Sequence, residues 1–215
     1  MKDRWMAGVG LIGLLAFTSC QKDPLKNLTD SESRIYITNH DSSVNFSGFK
    51  TFSVADSAGV IQNDQGAGKE LTDYDAAVIS SLKAALIKRG FQEVARTASP
   101  DIGLTVSRVY NTSTGVVNYP TYWSDYGSYY DPYYWGYGGY GYYDPSYYGP
   151  SYYSVYQATE GALAIDALDL KDAKQGKTIR PVWSAIARGT GVFDTGNVLS
   201  EVQAFIDQSA YLVTQ

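Results

Sequence analysis

Few residues in this sequence could do covalent or metal chemistry. Cysteine and histidine occur once each, as Cys20 and His40. That excludes a zinc site, a disulfide framework and a paired-thiol redox centre, each of which needs more than one such side chain. A Ser or Thr nucleophile would take His40 as its base, but His40 precedes Asp41-Ser42-Ser43, a turn composition with no nucleophile elbow nearby. Asp166 and Asp169 have the composition of a glycosidase pair, which stands roughly 5 to 10 Å apart. Three residues apart on a strand they point to opposite faces, and they read as solubilising residues at a strand end. Gly136, Gly138, Gly139 and Gly141 lack the following helix and Lys of a phosphate loop. Asp125, Asp131 and Asp144 offer oxygen ligands without EF-hand spacing. The chain therefore reads as a non-enzyme with no cofactor and no metal, a hydrolase being the least favoured alternative. With 17 Lys+Arg against 22 Asp+Glu and a formal charge of -5, it has no basic stripe for a nucleic-acid partner.

Cys20 is the residue with a chemistry of its own. Met1-Lys2-Asp3-Arg4 precedes an apolar stretch from Trp5 to Phe17, then Thr18-Ser19-Cys20. The stretch is short of the roughly 20 residues that span a hydrocarbon core, so residues 1–19 read as an export signal. Phe17-Thr18-Ser19-Cys20 resembles the lipobox of bacterial lipoproteins. The resemblance implies that Cys20 is diacylated on sulfur, becomes the first mature residue and is acylated on nitrogen, an anchor of several chains that holds the membrane permanently. Loss of Lys2, Arg4 and Asp3 leaves 15 basic and 21 acidic residues. Gln21 stands where an Asp would resemble an inner-membrane retention signal, so the expected address is the outer membrane, on its periplasmic face or at the cell surface. Residues 20–33 read as a flexible tether.

The second unusual feature is aromatic. Between Tyr119 and Tyr156 lie 16 of the 20 tyrosines, both Trp123 and Trp135, four prolines and six glycines, and no Lys or Arg occurs from Val109 to Leu170. Tyr129-Tyr130-Asp131-Pro132-Tyr133-Tyr134 is partly repeated as Tyr142-Tyr143-Asp144-Pro145-Ser146-Tyr147-Tyr148. Such rings combine large contact area, a polar tip and few rotors to freeze, as antibody paratopes do. Trp123, Trp135, Tyr129, Tyr130, Tyr133, Tyr134, Tyr142 and Tyr143 are therefore the candidate binding residues, for a glycan or an envelope protein. A structural component that self-associates through this insert, and a low-complexity expansion without a ligand, are the competing readings.

The elements that must carry the insert follow from hydrophobic period. Ile35-Tyr36-Ile37 and Phe49 to Val54 are β-prone, and Asp56 to Lys69, polar with three Gly, reads as a loop. Thr72-Asp73-Tyr74-Asp75 fits a capping box, and Tyr74, Val78, Leu82 and Leu86 recur at helical spacing until Lys88-Arg89-Gly90, giving a helix at 72–89. Asp101–Tyr110, Gly161–Leu170 and Thr178–Gly189 alternate as strands, the first with Gly103, Thr105 and Ser107 on a wet side. A second helix is expected at 197–213. The expected fold class is α+β: an antiparallel sheet with two helices packed on it, spanning 34–215, and a Tyr/Gly/Pro-rich insert at 119–156 projecting from one end.

That order, with Phe46-Ser47-Gly48-Phe49-Lys50-Thr51-Phe52, Lys88-Arg89-Gly90-Phe91, Pro100-Asp101-Ile102, Ala164-Ile165-Asp166, Asp172-Ala173 and Val182-Trp183, resembles the DUF4136 family of bacterial lipoproteins. Ser184-Ala185 replaces a usual Gly-containing step and a closing proline is missing. The resemblance implies a single domain of unknown function and brings no activity.

Overall fold

Thr72 starts the longest helix among the described residues, as the sequence requires. Its hydroxyl accepts from the Asp75 amide at 3.2 Å while the Asp75 carboxylate accepts from the Thr72 amide at 2.8 Å, satisfying two of the orphan donors of the first turn. The computed structural model, which describes residues 28–62, 65–110, 115–118, 133–139, 141–142, 153–156 and 161–214, places helix α2 at Asp73–Lys88 after a single turn, α1, at Asp30–Ser33. The end of the expected tether is thus a capped helical turn. α2 buries Tyr74, Val78, Ile79, Leu82 and Leu86. A third short helix, α3, spans Ala173–Gly176, and α4 spans Val198–Gln208, burying Val198, Glu201, Val202, Phe205 and Ile206. The expected helix at 197–213 stops early for a tertiary reason. Ser209 is fully buried and its hydroxyl accepts from the Trp183 indole at 2.8 Å, while the Arg89 guanidinium donates to the Ile206 and Ser209 carbonyls at 2.8 and 3.2 Å. These contacts satisfy the helix's last carbonyls from another element.

The strands are β1 (Ile35–His40), β2 (Thr51–Val54), β3 (Ala58–Gln62), β4 (Gln65–Glu70), β5 (Gln92–Glu93), β6 (Ile102–Tyr110), β7 (Gly115–Asn118), β8 (Gly141–Tyr142), β9 (Tyr153–Tyr156), β10 (Ala162–Asp169) and β11 (Thr178–Arg188). The main path of the sheet runs β1-β11-β10-β6-β2-β5. The expectation of an antiparallel sheet is corrected: β1, β11, β10 and β6 alternate in direction, but β2 and β3 lie parallel to β6, and β5 parallel to β2. The chain crosses over through α2 between β3–β4 and β6, and such a crossover is what parallel neighbours require. β2 and β3 follow one another along one edge of β6, pairing with residues 102–104 and then 107–110. The Gly-rich stretch read as a loop is the β3–β4 hairpin.

α2 and α4 cover one face of the sheet, over Phe52, Leu104, Val106, Leu163, Ile165, Trp183 and Ala185. The other face, expected to be wet along β6, is covered as well: Gly103, Ser107 and Val109 are buried, as are Ala164, Asp166, Leu168, Ser184 and Ile186. Part of the insert provides that cover. β6 and β10 pair antiparallel, and in the connection between them residues 115–118 and 153–156 form the two-stranded ribbon β7–β9. Residues 133–139 do not project. They pack at the opposite end of the outer face, where Trp135 and Tyr137 join Ala55, Leu168, Leu170, Ala173 and Ile179 in a buried cluster. Among the described residues no helix is long and apolar enough to cross a membrane.

Candidate functional site

The site forms where a strand edge runs out of partners. β5 pairs with β2 only at Thr51 and Phe52, and the Val94 amide makes the last bond, to the Phe52 carbonyl at 2.9 Å. The chain then leaves through a 3-10 turn at Arg96–Ala98, with Ser99 in the left-handed region at φ 58°. Ser53 and Val54 are left at the floor of an open cleft of about 440 Å³, a size within the range of roughly 300–1,000 Å³ used by small-ligand sites. Val94 and Ala95 form one wall; Asp56, Lys83, Glu93, Arg96 and Tyr134 form the rim.

Tyr134 is the insert's contribution. Its hydroxyl accepts from the Asp56 amide at 3.1 Å and its main-chain carbonyl accepts from Arg96 Nη1. The Arg96 guanidinium lies 4.6 Å and the Lys69 ammonium 4.8 Å from its ring centroid, both within cation–π range. Lys83 and Glu93 pair across the rim at 2.8 Å. Trp135 meets Tyr134 edge-on, with centroids 5.0 Å apart, and the Tyr137 hydroxyl donates to the Leu170 carbonyl at 3.1 Å. Only glycine fits beneath this segment at position 103. A Cβ there would stand 2.7 Å from Leu170 Cδ1 and 3.0 Å from the Trp135 ring.

The candidate residues thus separate by role. Trp135, 5% exposed, is core; Tyr134 lines the cleft; Tyr133, directly before it, is 79% exposed and is the open ring of the segment. Tyr142 lies in β8, whose main chain pairs with Thr178 and Ile179. Cys20, Trp123, Tyr129, Tyr130 and Tyr143 lie outside the described residues. Sequence reasoning missed Lys69, Lys83, Glu93 and Arg96, which come from β4, α2, β5 and a 3-10 turn and share no spacing that would have joined them.

The buried titratable groups among the described residues do not line the cleft. Asp166 and Asp169 do fall on opposite faces, Asp166 opposite Thr105 and Asp169 opposite Ile102, but neither solubilises: they are 5% and 2% exposed. Burial pushes both carboxyls above the usual range, Asp166 well above, while Asp169 accepts from the Asp172 amide at 2.9 Å and lies 3.4 Å from Arg180. Glu201, fully buried on α4, accepts from the Tyr74 hydroxyl at 2.9 Å; desolvation raises it to about 7 and raises Tyr74 too. Asp75 and Glu70 both pair with Arg108 at the root of the insert. His40 stacks on Tyr211 at 3.8 Å, and desolvation lowers its pKa. Among the described residues no three His, Cys, Asp or Glu side chains gather as a metal site.

The model of the DUF4136 family, a domain of unknown function, matches residues 37–209. A crystal structure of a DUF4136 family protein from Bacteroides thetaiotaomicron VPI-5482 is 25% identical, covers 85% of this chain and 99% of that one, and superposes with a TM-score of 0.56. PelC from Paraburkholderia phytofirmans, solved as a dodecamer, is 12% identical over 85% of this chain and 99% of that one, with a TM-score of 0.39. A PDZ domain protein from Parabacteroides distasonis ATCC 8503 is 13% identical over 83% of this chain and 36% of that one, with a TM-score of 0.44. No curated protein matches the chain.

Proposed function

The chain belongs to the DUF4136 family, a domain of unknown function, and from that premise we propose that it is a non-catalytic binding module of the bacterial cell envelope, lipid-anchored through Cys20 and held at the outer membrane. Its ligand is a glycan or an envelope protein that seats in the cleft between the β2 edge and the insert. One observation carries this reading: an aromatic segment folds back onto the sheet, leaves one ring exposed at Tyr133 and lays the next, Tyr134, along an open, polar-rimmed cleft. Rigid aromatic area beside fixed hydrogen-bonding groups is the composition of a recognition surface rather than of a reaction centre. The anchor supports the same reading, because a module fixed to a membrane meets its ligand at high local concentration.

The test is retention of the detergent-solubilised full chain on isolated peptidoglycan, surface polysaccharide and envelope extract, beside Tyr133→Ala. Side-chain truncation is the right perturbation because Trp135 and Tyr137 are core, so deleting the insert would expose Leu168, Leu170 and Ile179. Selective retention of the wild type supports the reading. Equal retention of both puts the ligand elsewhere, and concentration-dependent self-association in the absence of any ligand favours a structural component instead.

A further inference from the structure

The rim of the cleft carries charge in an uneven arrangement. Lys83 is matched by Glu93 at 2.8 Å, and the Asp56 side chain accepts from the Ser57 hydroxyl at 3.2 Å. Arg96 is different. It is exposed, one of its Nη atoms holds the Tyr134 carbonyl, and among the described residues no carboxylate pairs with it. Its guanidinium is pinned over the Tyr134 ring at 4.6 Å, so its plane is set before any ligand arrives. A fixed guanidinium with donors to spare suits a carboxylate, which it meets through two parallel N–H···O bonds in a geometry that a flexible ammonium does not reproduce. In a chain whose formal charge is -5, such a spot attracts anions against the general field.

The other walls narrow the ligand class. Three lining residues, Val54, Val94 and Ala95, are apolar, and the rest offer hydroxyl, carboxylate, ammonium, guanidinium and phenol groups. Among the described residues the cleft offers no apolar socket of the kind in which a peptide or protein partner buries an anchor. Its polar groups match a ligand rich in hydroxyls. Ser53 on the floor and the carboxylates of Asp56 and Glu93 can exchange hydrogen bonds with hydroxyl groups. Tyr133, seated over Gly138 so closely that a Cβ there would stand 2.5 Å from its ring, turns its remaining surface to solvent as a flat apolar platform.

We infer that the cleft takes an acidic glycan, a carboxylate-bearing sugar whose carboxyl pairs with Arg96 and whose hydroxyls meet Ser53, Asp56 and Glu93. The inference rests on the binding reading above and adds the chemical class of the ligand.

The experiment uses the detergent-solubilised full chain and an array of oligomeric uronic acids, each printed beside its carboxyl-reduced form, which differs only by replacement of the carboxylate with a neutral hydroxymethyl group. At least one acid should bind about tenfold or more tighter than its reduced partner, the order of a charge-assisted hydrogen bond, and the difference should shrink as salt rises. Arg96→Gln should remove that tenfold preference, so that acid and reduced forms bind alike whatever its overall affinity; because Arg96 is exposed, an unchanged far-ultraviolet spectrum checks its fold. Tyr133→Ala should weaken acid and reduced forms alike. Equal binding of both forms, unaffected by Arg96→Gln, overturns the acidic class and leaves the glycan-binding reading standing. Binding of no glycan on the array overturns both. Competition by poly-glutamate as effective as by the acidic sugar overturns the glycan class in favour of an acidic peptide.

Discussion

Replacing Trp135 with Ala asks whether the aromatic insert is part of the folded body. Trp135 is 5% exposed and touches the cluster of Ala55, Tyr137, Leu168, Leu170 and Ile179. Truncating a buried Trp to Ala costs about 3–5 kcal/mol where the surroundings cannot collapse. Here the segment 133–139 can also undock, so the loss is capped by the free energy that holds it down, and the expectation falls at or below the bottom of that range, ~2–3 kcal/mol. For a chain of this size that is a fall in Tm of roughly 5–10 °C. The assay is urea and thermal unfolding followed by far-ultraviolet circular dichroism, with Tyr133→Ala as the control, since its ring is 79% exposed and a surface change costs within about 0.5 kcal/mol. Gly103→Ala should also destabilise, because its Cβ would stand 2.7 Å from Leu170 Cδ1 and 3.0 Å from the indole. If Trp135→Ala is as mild as Tyr133→Ala, the segment does not dock on the sheet and the cleft loses the wall that Tyr134 provides.

Three further outcomes follow from single contacts. Glu201 titrates at about 7 because burial penalises its charge; a carboxyl held above its ordinary value stabilises the fold less as pH rises, so stability should fall between about pH 4.5 and 7 by at most ~3 kcal/mol. Unfolding measured at pH 4, 6 and 8 should show Glu201→Gln flattening that slope, and parallel curves would contradict the assignment. Gly189 sits at φ 115° with room for a Cβ only 2.4 Å from the Ser33 carbonyl, so Gly189→Ala should cost more than ~2 kcal/mol in the same urea assay; a neutral change would mean that α1 is not held there. Metabolic labelling with a clickable fatty acid should mark the wild type and not Cys20→Ser, and equal labelling of both would end the lipidation proposal.

The sequence made the helices and the long strands legible and left the site almost invisible, for identifiable reasons. The capping box at Thr72 and the 3.6-residue period behind it define α2 within a residue of its observed ends, because both signals are local. The strands at 102–110, 162–169 and 178–188 were equally readable by alternation. Their wet side was not, because part of its cover, at the Leu168 end, comes from Trp135 and Tyr137 far along the chain. The β3–β4 hairpin was hidden by its glycines, one of which, Gly59, lies against Ser107 with a notional Cβ 3.3 Å from its hydroxyl; close backbone approach and a flexible loop use the same residue. The parallel pairing of β2 and β3 with β6 depends on where the crossover helix returns the chain, which no period records. Composition alone marks Tyr133 and Tyr134 as binding residues, but the cations over Tyr134 come from well before it in the chain, Arg96 by 38 residues and Lys69 by more, and only the fold brings them together.

On the proposed function, ligand enters the cleft between the β2 edge and the insert. Hydrogen–deuterium exchange of the solubilised full chain, with and without a saturating envelope glycan fraction, tests it most directly. Slowed exchange is expected at residues 53–56, 93–96 and 133–134, and should be lost in Tyr134→Ala, which removes the cleft wall the insert provides. Protection confined to the β1 edge or the exposed side of α2, with none around Tyr134, would contradict it.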